Sequence, residues 1–305
     1  MRQQYDAALK HFAKVAEMFP DSPEGVLFQA AAIQARSMDF RDFGENKQFD
    51  SLLAISEKLS EEMIERNPQS PWGHYYLGTT RGMISYDLIQ RGDYLGGYFK
   101  GRSSVSEIEE TLELDSTFYD CYSILGTYYY WKSRKTTWIP FFTDEREKGI
   151  QCLLLASERG RYQKYPALSN LVWVYLDAQR WAETEPYARR ALHLYPRQRA
   201  FLHALASSLM GQRRFEEAKV AYENQLAEIL TVNAPNAYNE IGARLNIVFM
   251  KKELRDTTNV REHLDRIFSK AKGRFPRNLQ DKLEQHLEHA RRLHAEISSG
   301  TFPGQ

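Results

Sequence analysis

The stretch of sequence that decides the fold is Tyr122-Ser123-Ile124-Leu125-Gly126-Thr127-Tyr128-Tyr129. Tyr122 and Leu125 are three residues apart, so in a helix they lie on one face and bury together. Gly126 has no side chain, which lets the backbone of a second helix approach closely. Tyr129, one turn further on, is placed to fill the gap beside that approach. The pattern aromatic-x2-Leu-Gly-x2-Tyr therefore predicts the first helix of a helical hairpin.

The same pattern recurs along the chain at a nearly regular spacing. Leu171 and Leu205 hold the Leu position of two further motifs and are 34 residues apart, and Ile241 holds it 36 residues later. Leu77, Leu125 and Leu171 are separated by 48 and 46 residues. The earlier repeats therefore carry about 12–14 residues beyond the usual 34. We predict that this surplus falls between the first and second helix of each enlarged repeat.

This recurrence resembles the tetratricopeptide repeat superfamily over nearly the whole chain. The second half of the family pattern, Ala-x3-Phe followed by Pro, is present as Ala8-x3-Phe12 and Pro20. Arg81 departs from the pattern, since it stands where a Tyr is usual. The resemblance implies an all-α fold, a right-handed superhelical solenoid of antiparallel helix pairs with a C-terminal capping helix. It also implies a concave groove that binds a peptide or a protein.

The repeat pattern divides the chain into five parts. They are an incomplete repeat with the second helix only at 1–22, three enlarged repeats at 23–164, two regular repeats at 165–234, a degenerate repeat at 235–275, and a capping helix with its tail at 276–305. The capping helix is predicted from apolar residues that recur at a helical period: Leu279, Leu283, Leu287, Ala290 and Ile297. The tail from Gly300 to Gln305 is expected to be loose. The absent first helix leaves open whether residues precede Met1.

Composition indicates a folded protein rather than a disordered one, with 42% hydrophobic and 27% charged residues among 305. The net charge of +1 provides no field to attract nucleic acid, which we exclude as a partner. No apolar run reaches the roughly 18 residues of a membrane span, and no signal peptide is visible. The compartment stays open between the cytoplasm and, if an upstream signal was removed, the periplasm. Cys121 and Cys152 are predicted to be buried free thiols, and a disulfide stays open in an oxidising compartment.

The groove implied by the resemblance is lined by first helices on the face opposite their packing side. Projecting the helical register onto these helices gives the candidate peptide-binding residues Trp72, Tyr75, Thr79, Tyr130, Trp173, His203, Asn239 and Asn246. The projected surface is nearly uncharged. It also lacks the Lys and Asn, one turn apart, with which family members hold the C-terminal carboxylate of chaperones, so we predict that this tail is not a partner. The alternative for each aromatic residue is packing against neighbouring helices.

The enlarged repeats supply a second candidate surface along one edge, rich in aromatic and basic side chains. Its predicted contact residues are Trp131, Lys132, Arg134, Lys135, Trp138, Phe141 and Phe142. Two interpretations stay open. The first helices are simply longer there and the inserts pack on each other as a lateral core, or the inserts form a docking or membrane-interface element, where Trp and Lys or Arg commonly occur together.

No pattern in the chain predicts catalysis, a cofactor or a metal. Gly96-x4-Gly101-Arg102-Ser103 nearly matches a phosphate-binding loop, but an Arg replaces the required Lys and no strand precedes it. His286, His289 and His294 share one predicted helix without the spacing of a zinc motif. We therefore predict a non-enzymatic protein–protein interaction scaffold with no small-molecule substrate. The alternative is a structural or assembly module, for example of a bacterial envelope, that makes contacts through the aromatic inserts.

Overall fold

The computed structural model describes residues 3–136, 143–232 and 236–304. In these residues the chain forms fourteen α-helices, one 3₁₀ turn (Arg277–Leu279) and no strand. The helices are α1 (Tyr5–Met18), α2 (Glu24–Phe40), α3 (Lys47–Arg66), α4 (Pro71–Gln90), α5 (Tyr94–Leu114), α6 (Cys121–Thr136), α7 (Arg146–Arg159), α8 (Lys164–Asp177), α9 (Trp181–Leu194), α10 (Arg199–Gly211), α11 (Phe215–Leu230), α12 (Ala237–Glu253), α13 (Val260–Lys270) and α14 (Gln280–Ser298). The predicted all-α class is confirmed.

These helices belong to two compact units. The N-terminal unit comprises residues 3–37 and 43–174. The C-terminal unit comprises residues 38–42 and 175–304. Both units are built from helices that pack against the next helix in the chain, as α4 does on α5 and α10 on α11.

In the N-terminal unit, the helix that carries the Leu-Gly motif packs very tightly on its partner. A Cβ atom added to Gly126 of α6 would lie 2.6 Å from the carbonyl oxygen of Gly149 of α7. Leu125 and Cys121 are buried on the same helix. The close backbone approach predicted from the sequence is therefore present.

The surplus length of the enlarged repeats lies mostly in longer helices. α4 and α5 have 20 and 21 residues, whereas α9 and α10 have 14 and 13. Only residues 91–93 connect α4 to α5, and the Asp93 carboxylate caps α5 by accepting a hydrogen bond from the Gly96 N–H (2.9 Å). The prediction that the surplus falls between the helices is thus wrong for this pair, and α4 agrees with the alternative of a longer first helix. The near phosphate-binding pattern at Gly96–Ser103 lies inside α5.

Arg81, which stands at the position where the repeat pattern has a Tyr, is the centre of a half-buried ion cluster. Its guanidinium donates to Glu107 (2.6 Å) and to Glu57 (2.9 Å), and Lys100 donates to Glu57 (2.9 Å). Burial favours the neutral acid, but the hydrogen bonds and charges of Arg81 and Lys100 outweigh it and lower the pKa of Glu57. Charge pairing therefore holds this position of the motif.

In the C-terminal unit, α12, α13 and α14 close around one apolar core, with Ile241, Leu264 and Ala290 among its buried members. All five predicted capping residues are buried. Phe302 is also part of this core, 1% exposed, and its N–H donates to the Glu296 carbonyl oxygen (3.2 Å). The tail therefore packs on the core up to Phe302, and the prediction of a loose tail is wrong for residues 300–302.

Both cysteines are free thiols, with Cys121 buried and Cys152 partly buried. Burial raises the pKa of the Cys121 thiol well above its ordinary value, and Asp120 adds to the shift. Cys121 is therefore a packing residue in α6.

Candidate functional site

Two predicted groove residues lie inside the N-terminal unit instead of on its surface. Tyr75 is 4% exposed and Tyr130 is fully buried. The Tyr130 hydroxyl donates to the Val174 carbonyl oxygen (2.9 Å), and the Tyr75 hydroxyl accepts from the Gln163 side chain (3.1 Å). The register projection is wrong for these two, because both rings are long enough to reach the interior and each hydroxyl finds a polar partner there.

Trp72 lines an open depression of about 580 Å³ in the same unit. Its lining residues, which we call the Trp72 depression, are Asp21, Glu24, Met63, Arg66, Asn67, Ser70, Trp72, Tyr76 and Tyr162. The volume falls within the range of roughly 300–1,000 Å³ that is usual for ligand sites. The depression therefore has room for one or two side chains of a partner.

The walls of the Trp72 depression are held by aromatic packing. The Trp72 ring lies 4.8 Å from the Phe118 ring, 5.7 Å from Tyr76 and 5.9 Å from Tyr162, measured between centroids. The Tyr76 hydroxyl donates to Glu24 (2.8 Å), and burial raises the pKa of Tyr76, with that hydrogen bond adding to the shift. Tyr162 stays half exposed at the rim. A fixed apolar wall with one exposed ring suits an apolar or aromatic side chain.

The polar rim of the depression offers hydrogen-bonding groups to a main chain. Arg66 donates from its guanidinium to the Asp21 carbonyl oxygen (2.8 Å), which positions it at the edge. Asn67 and Ser70 complete the rim. Polar groups around an apolar floor are the arrangement with which ligand sites orient what they bind.

Thr79 and Trp173, also predicted as groove residues in this unit, lie outside the depression. The Thr79 hydroxyl donates to the Tyr75 carbonyl oxygen one turn earlier (2.7 Å). Trp173 is half-buried on α8. Neither residue lines the Trp72 depression.

In the C-terminal unit, predicted residues His203 and Asn239 lie on one surface with Arg199, which the register projection missed. We call the surface formed by Arg199, His203 and Ser207 of α10 with Asn239 of α12 the α10–α12 face. Arg199, His203 and Ser207 are four residues apart, so they form one stripe along α10. Asn246 is half-buried further along α12. Because Arg199 precedes His203 by one turn on the same face, extending the projection by that turn would have found it.

His203 is held neutral in this face. Burial lowers its pKa to about 4, and the positive charge of Arg41 adds to the shift. The hydroxyl of Ser207 lies 2.9 Å from that of Tyr222, which ties the stripe to α11. The α10–α12 face is thus pre-formed.

Residues 38–42 of the same unit lie against this face. Arg199 forms an ion pair with the Asp39 carboxylate through Nη2 and Nε. The Asn239 side-chain amide donates to the Asp39 carbonyl oxygen (2.7 Å). The α10–α12 face therefore carries a buried cation, which the Asp39 carboxylate neutralises.

The predicted insert-edge residues that the structure describes lie on the last turns of α6 instead of in a loop. Trp131 is partly exposed, and the Lys132 ammonium pairs with Glu145 and lies 5.5 Å from the centre of the Tyr128 ring. Arg134 and Lys135 are exposed. Trp138, Phe141 and Phe142 lie outside the described residues. Lys132 is therefore engaged within the unit.

An exposed apolar surface does occur on the enlarged repeats, at the start of α5. Tyr94, Leu95 and Phe99 are 67%, 68% and 62% exposed. We call these three residues the α5 patch. The exposure of these three side chains depends on helix packing that the sequence does not show.

The three histidines of α14 each pack on an aromatic ring. His286 lies beside Tyr238 (5.5 Å), His289 beside Phe249 (5.9 Å) and His294 beside Phe268 (5.8 Å). Across residues 3–136, 143–232 and 236–304, no three His, Cys, Asp or Glu side chains converge as metal ligands would. In that part of the chain no helix is long and apolar enough to cross a membrane.

No protein-family model matches this sequence, and no curated protein matches it. Solved structures with similar folds include a chain of the APC/C hetero-tetramer Cut9–Hcn1, with a TM-score of 0.61 over 97% of this chain at 12% identity. This chain spans about half of that one, 48%. YrrB, described as a TPR protein with an unusual peptide-binding site, matches with a TM-score of 0.52 at 14% identity, over 76% of this chain and 97% of its own. PilW, a type IV pilus biogenesis factor, matches with a TM-score of 0.52 at 14% identity, over 85% of this chain and 98% of its own.

These matches establish the class of fold. The chain is an all-α protein of the tetratricopeptide repeat type, built from successive helical hairpins. At identities of 12–14% the similarity shows the fold alone. Function has to be argued from the surfaces of this chain.

Proposed function

We propose that this chain is a non-enzymatic scaffold that holds a peptide segment of a partner protein, and that the Trp72 depression is a principal contact site. The observation that carries the proposal is an open site of about 580 Å³ with aromatic walls and a polar rim. An extended or helical segment would place an apolar side chain on Trp72 and Tyr162 and its main chain near Asn67 and Ser70. YrrB, a similar fold, is described as having a peptide-binding site.

The α5 patch supports a second candidate function, that of an assembly module whose edge docks on another protein. Three adjacent apolar side chains exposed by more than half are unusual on a surface that contacts only water. PilW, also of similar fold, is described as a pilus biogenesis factor.

Peptide selection from a random 12-residue display library, with fluorescence titration of the peptides recovered, tests both candidates. Tyr162→Ser removes the exposed ring of the Trp72 depression without touching the core, and we expect it to weaken binding about 5- to 30-fold, as loss of an aromatic anchor does. Tyr94→Ser makes the same substitution at an exposed ring of the α5 patch and is the matched control. Binding that survives Tyr162→Ser but is lost in Tyr94→Ser would favour the assembly module. Loss in neither would contradict both.

Neither chaperone tails nor nucleic acid is among the partners we propose. A pentapeptide with an acidic C-terminus, titrated under the same conditions, tests the first exclusion. Saturable binding that Tyr162→Ser weakens would show the exclusion to be wrong.

A further inference from the structure

The α10–α12 face already holds the end of a helix. Residues 38–40 are the last turn of α2, and the chain then turns through Arg41, whose φ of 58° is left-handed. A side chain other than Gly or Asn adopts this conformation at a cost of about 1 kcal/mol or more. The contacts of this segment with the face therefore have to compensate for a strained turn.

Three different groups of the segment are recognised at once. Arg199 binds the Asp39 carboxylate, in a pair whose side chains are only 9% and 6% exposed. Asn239 donates to the Asp39 carbonyl oxygen, one of the last four carbonyls that a helix leaves without an internal partner. The Arg199 guanidinium also lies 5.9 Å from the centre of the Phe40 ring, within the range of a cation–π contact.

Electrostatics makes the face selective for such a segment. The carboxyl end of a helix carries a partial negative charge, which a nearby guanidinium stabilises. Any segment that covers Arg199 as residues 38–42 do, leaving it 9% exposed, has to supply an anion, because an unpaired buried charge is strongly unfavourable. His203, one turn along α10, is neutral, so Arg199 supplies the positive charge of this face.

We propose that residues 38–42 are an internal ligand of the α10–α12 face, and that the face recognises the carboxyl-terminal end of a partner's helix carrying an acidic residue followed by an aromatic one. An external segment of this kind competes with residues 38–42 for Arg199 and Asn239. This site is separate from the Trp72 depression and concerns a different unit.

A labelled peptide with the sequence of residues 30–44 is the probe, titrated by fluorescence anisotropy against the full chain. The variant Asp39→Ala/Phe40→Ala vacates the face, so we expect it to bind the peptide at least about tenfold more tightly than the wild type, whose face is occupied. Adding Arg199→Met to this variant should abolish the gain. Adding Arg197→Met is the matched control, because Arg197 is exposed and pairs only with Glu228 in the contacts described (2.9 Å), and it should leave the gain intact.

Two further measurements keep the test decisive. A peptide with Asn in place of Asp39 should lose the gain in affinity. In the wild type, saturating peptide should speed amide hydrogen exchange at residues 39–42, since displacement frees them, and this measurement needs no destabilising variant.

Equal affinity of the wild type and the vacated variant, equal losses from Arg199→Met and Arg197→Met, or bound peptide with unchanged exchange at residues 39–42 would each overturn the proposal. Tyr162→Ser should leave this peptide's affinity unchanged. Failure of the Trp72 depression as a binding site is therefore distinguishable from failure of this inference.

Discussion

Gly126→Ala tests whether the Leu-Gly motif defines the fold through the close approach of two helices. The added Cβ atom would lie 2.6 Å from the Gly149 carbonyl oxygen, 2.8 Å from Leu153 Cγ and 3.0 Å from the Leu153 nitrogen. Two of these atoms belong to the backbone of α7, so the helices must separate by several tenths of an ångström. Overpacking of this kind costs about 1–3 kcal/mol, and a rigid backbone places it near the upper value.

The substitution also has a favourable part. Ala stabilises a helix interior by about 1 kcal/mol relative to Gly. The net expectation for Gly126→Ala is therefore a loss of about 2 kcal/mol in the free energy of unfolding of the N-terminal unit. Urea unfolding followed by circular dichroism measures it, and hydrogen exchange of α6 and α7 peptides localises it.

Gly242→Ala is the matched control, since Gly242 holds the same position of the motif in α12. There the nearest atom to an added Cβ is His286 Cε1 at 3.5 Å, an ordinary contact with a side chain. We expect this variant to be unchanged or stabilised by up to about 1 kcal/mol. A Gly126→Ala protein as stable as the wild type, or equal losses in both variants, would refute the argument from backbone approach.

Three other perturbations test separate parts of the structure. The pKa of His203 is lowered to about 4, so only the unfolded chain takes up this proton between pH 6.5 and 4; acidification should cost at most about 3 kcal/mol of unfolding free energy, and His203→Gln should lose that part of the pH dependence in urea titrations. Arg81→Gln removes the cation that Glu57 and Glu107 share, and we expect a loss of about 1–3 kcal/mol at pH 7. Because the lowered pKa of Glu57 contributes stability only above the range where the carboxyl is protonated, wild type and Arg81→Gln should converge as the pH falls below about 4; a constant difference would argue against the ion cluster. Phe302→Ala should lower the free energy of unfolding of the C-terminal unit by about 3 kcal/mol, as removal of a buried ring does. A melting temperature equal to that of the wild type would show that this ring does not stabilise the core.

Local patterns predicted the parts of the fold that depend on local spacing. The motif around Gly126 and the apolar stripe of α14 each depend on residues within a few turns, and both are present as predicted. The length of α4 and α5 was harder to predict. A polar and aromatic stretch between two apolar stripes is compatible both with an insert and with a continuing helix. The burial of Phe302 was not predicted, because short tails are usually loose. No sequence pattern near this residue indicates that its ring packs on α12–α14.

The candidate sites depend even more on residues that are distant in sequence. Trp72 was predicted from register, but Tyr162, which completes the depression, comes from the segment before α8 and carries no repeat signal. Tyr75 and Tyr130 satisfied the same register and are nevertheless buried. Register fixes the side of a helix on which a residue lies, whereas the length and polar end of a side chain decide whether it stays at the surface.

The α10–α12 face illustrates how a surface predicted from sequence to be nearly uncharged can still select a charged segment. Arg199 and Asp39 are 160 residues apart, and each taken alone looks like an ordinary surface charge. The register projection included neither residue, so the projected face is nearly uncharged although Arg199 pairs there with a buried carboxylate. A search for partners guided by net charge would therefore look for apolar segments only, whereas the buried guanidinium selects an acidic residue at a helix end. The affinity gained in Asp39→Ala/Phe40→Ala, and lost again in the Arg199→Met background, decides between these two descriptions of the same surface.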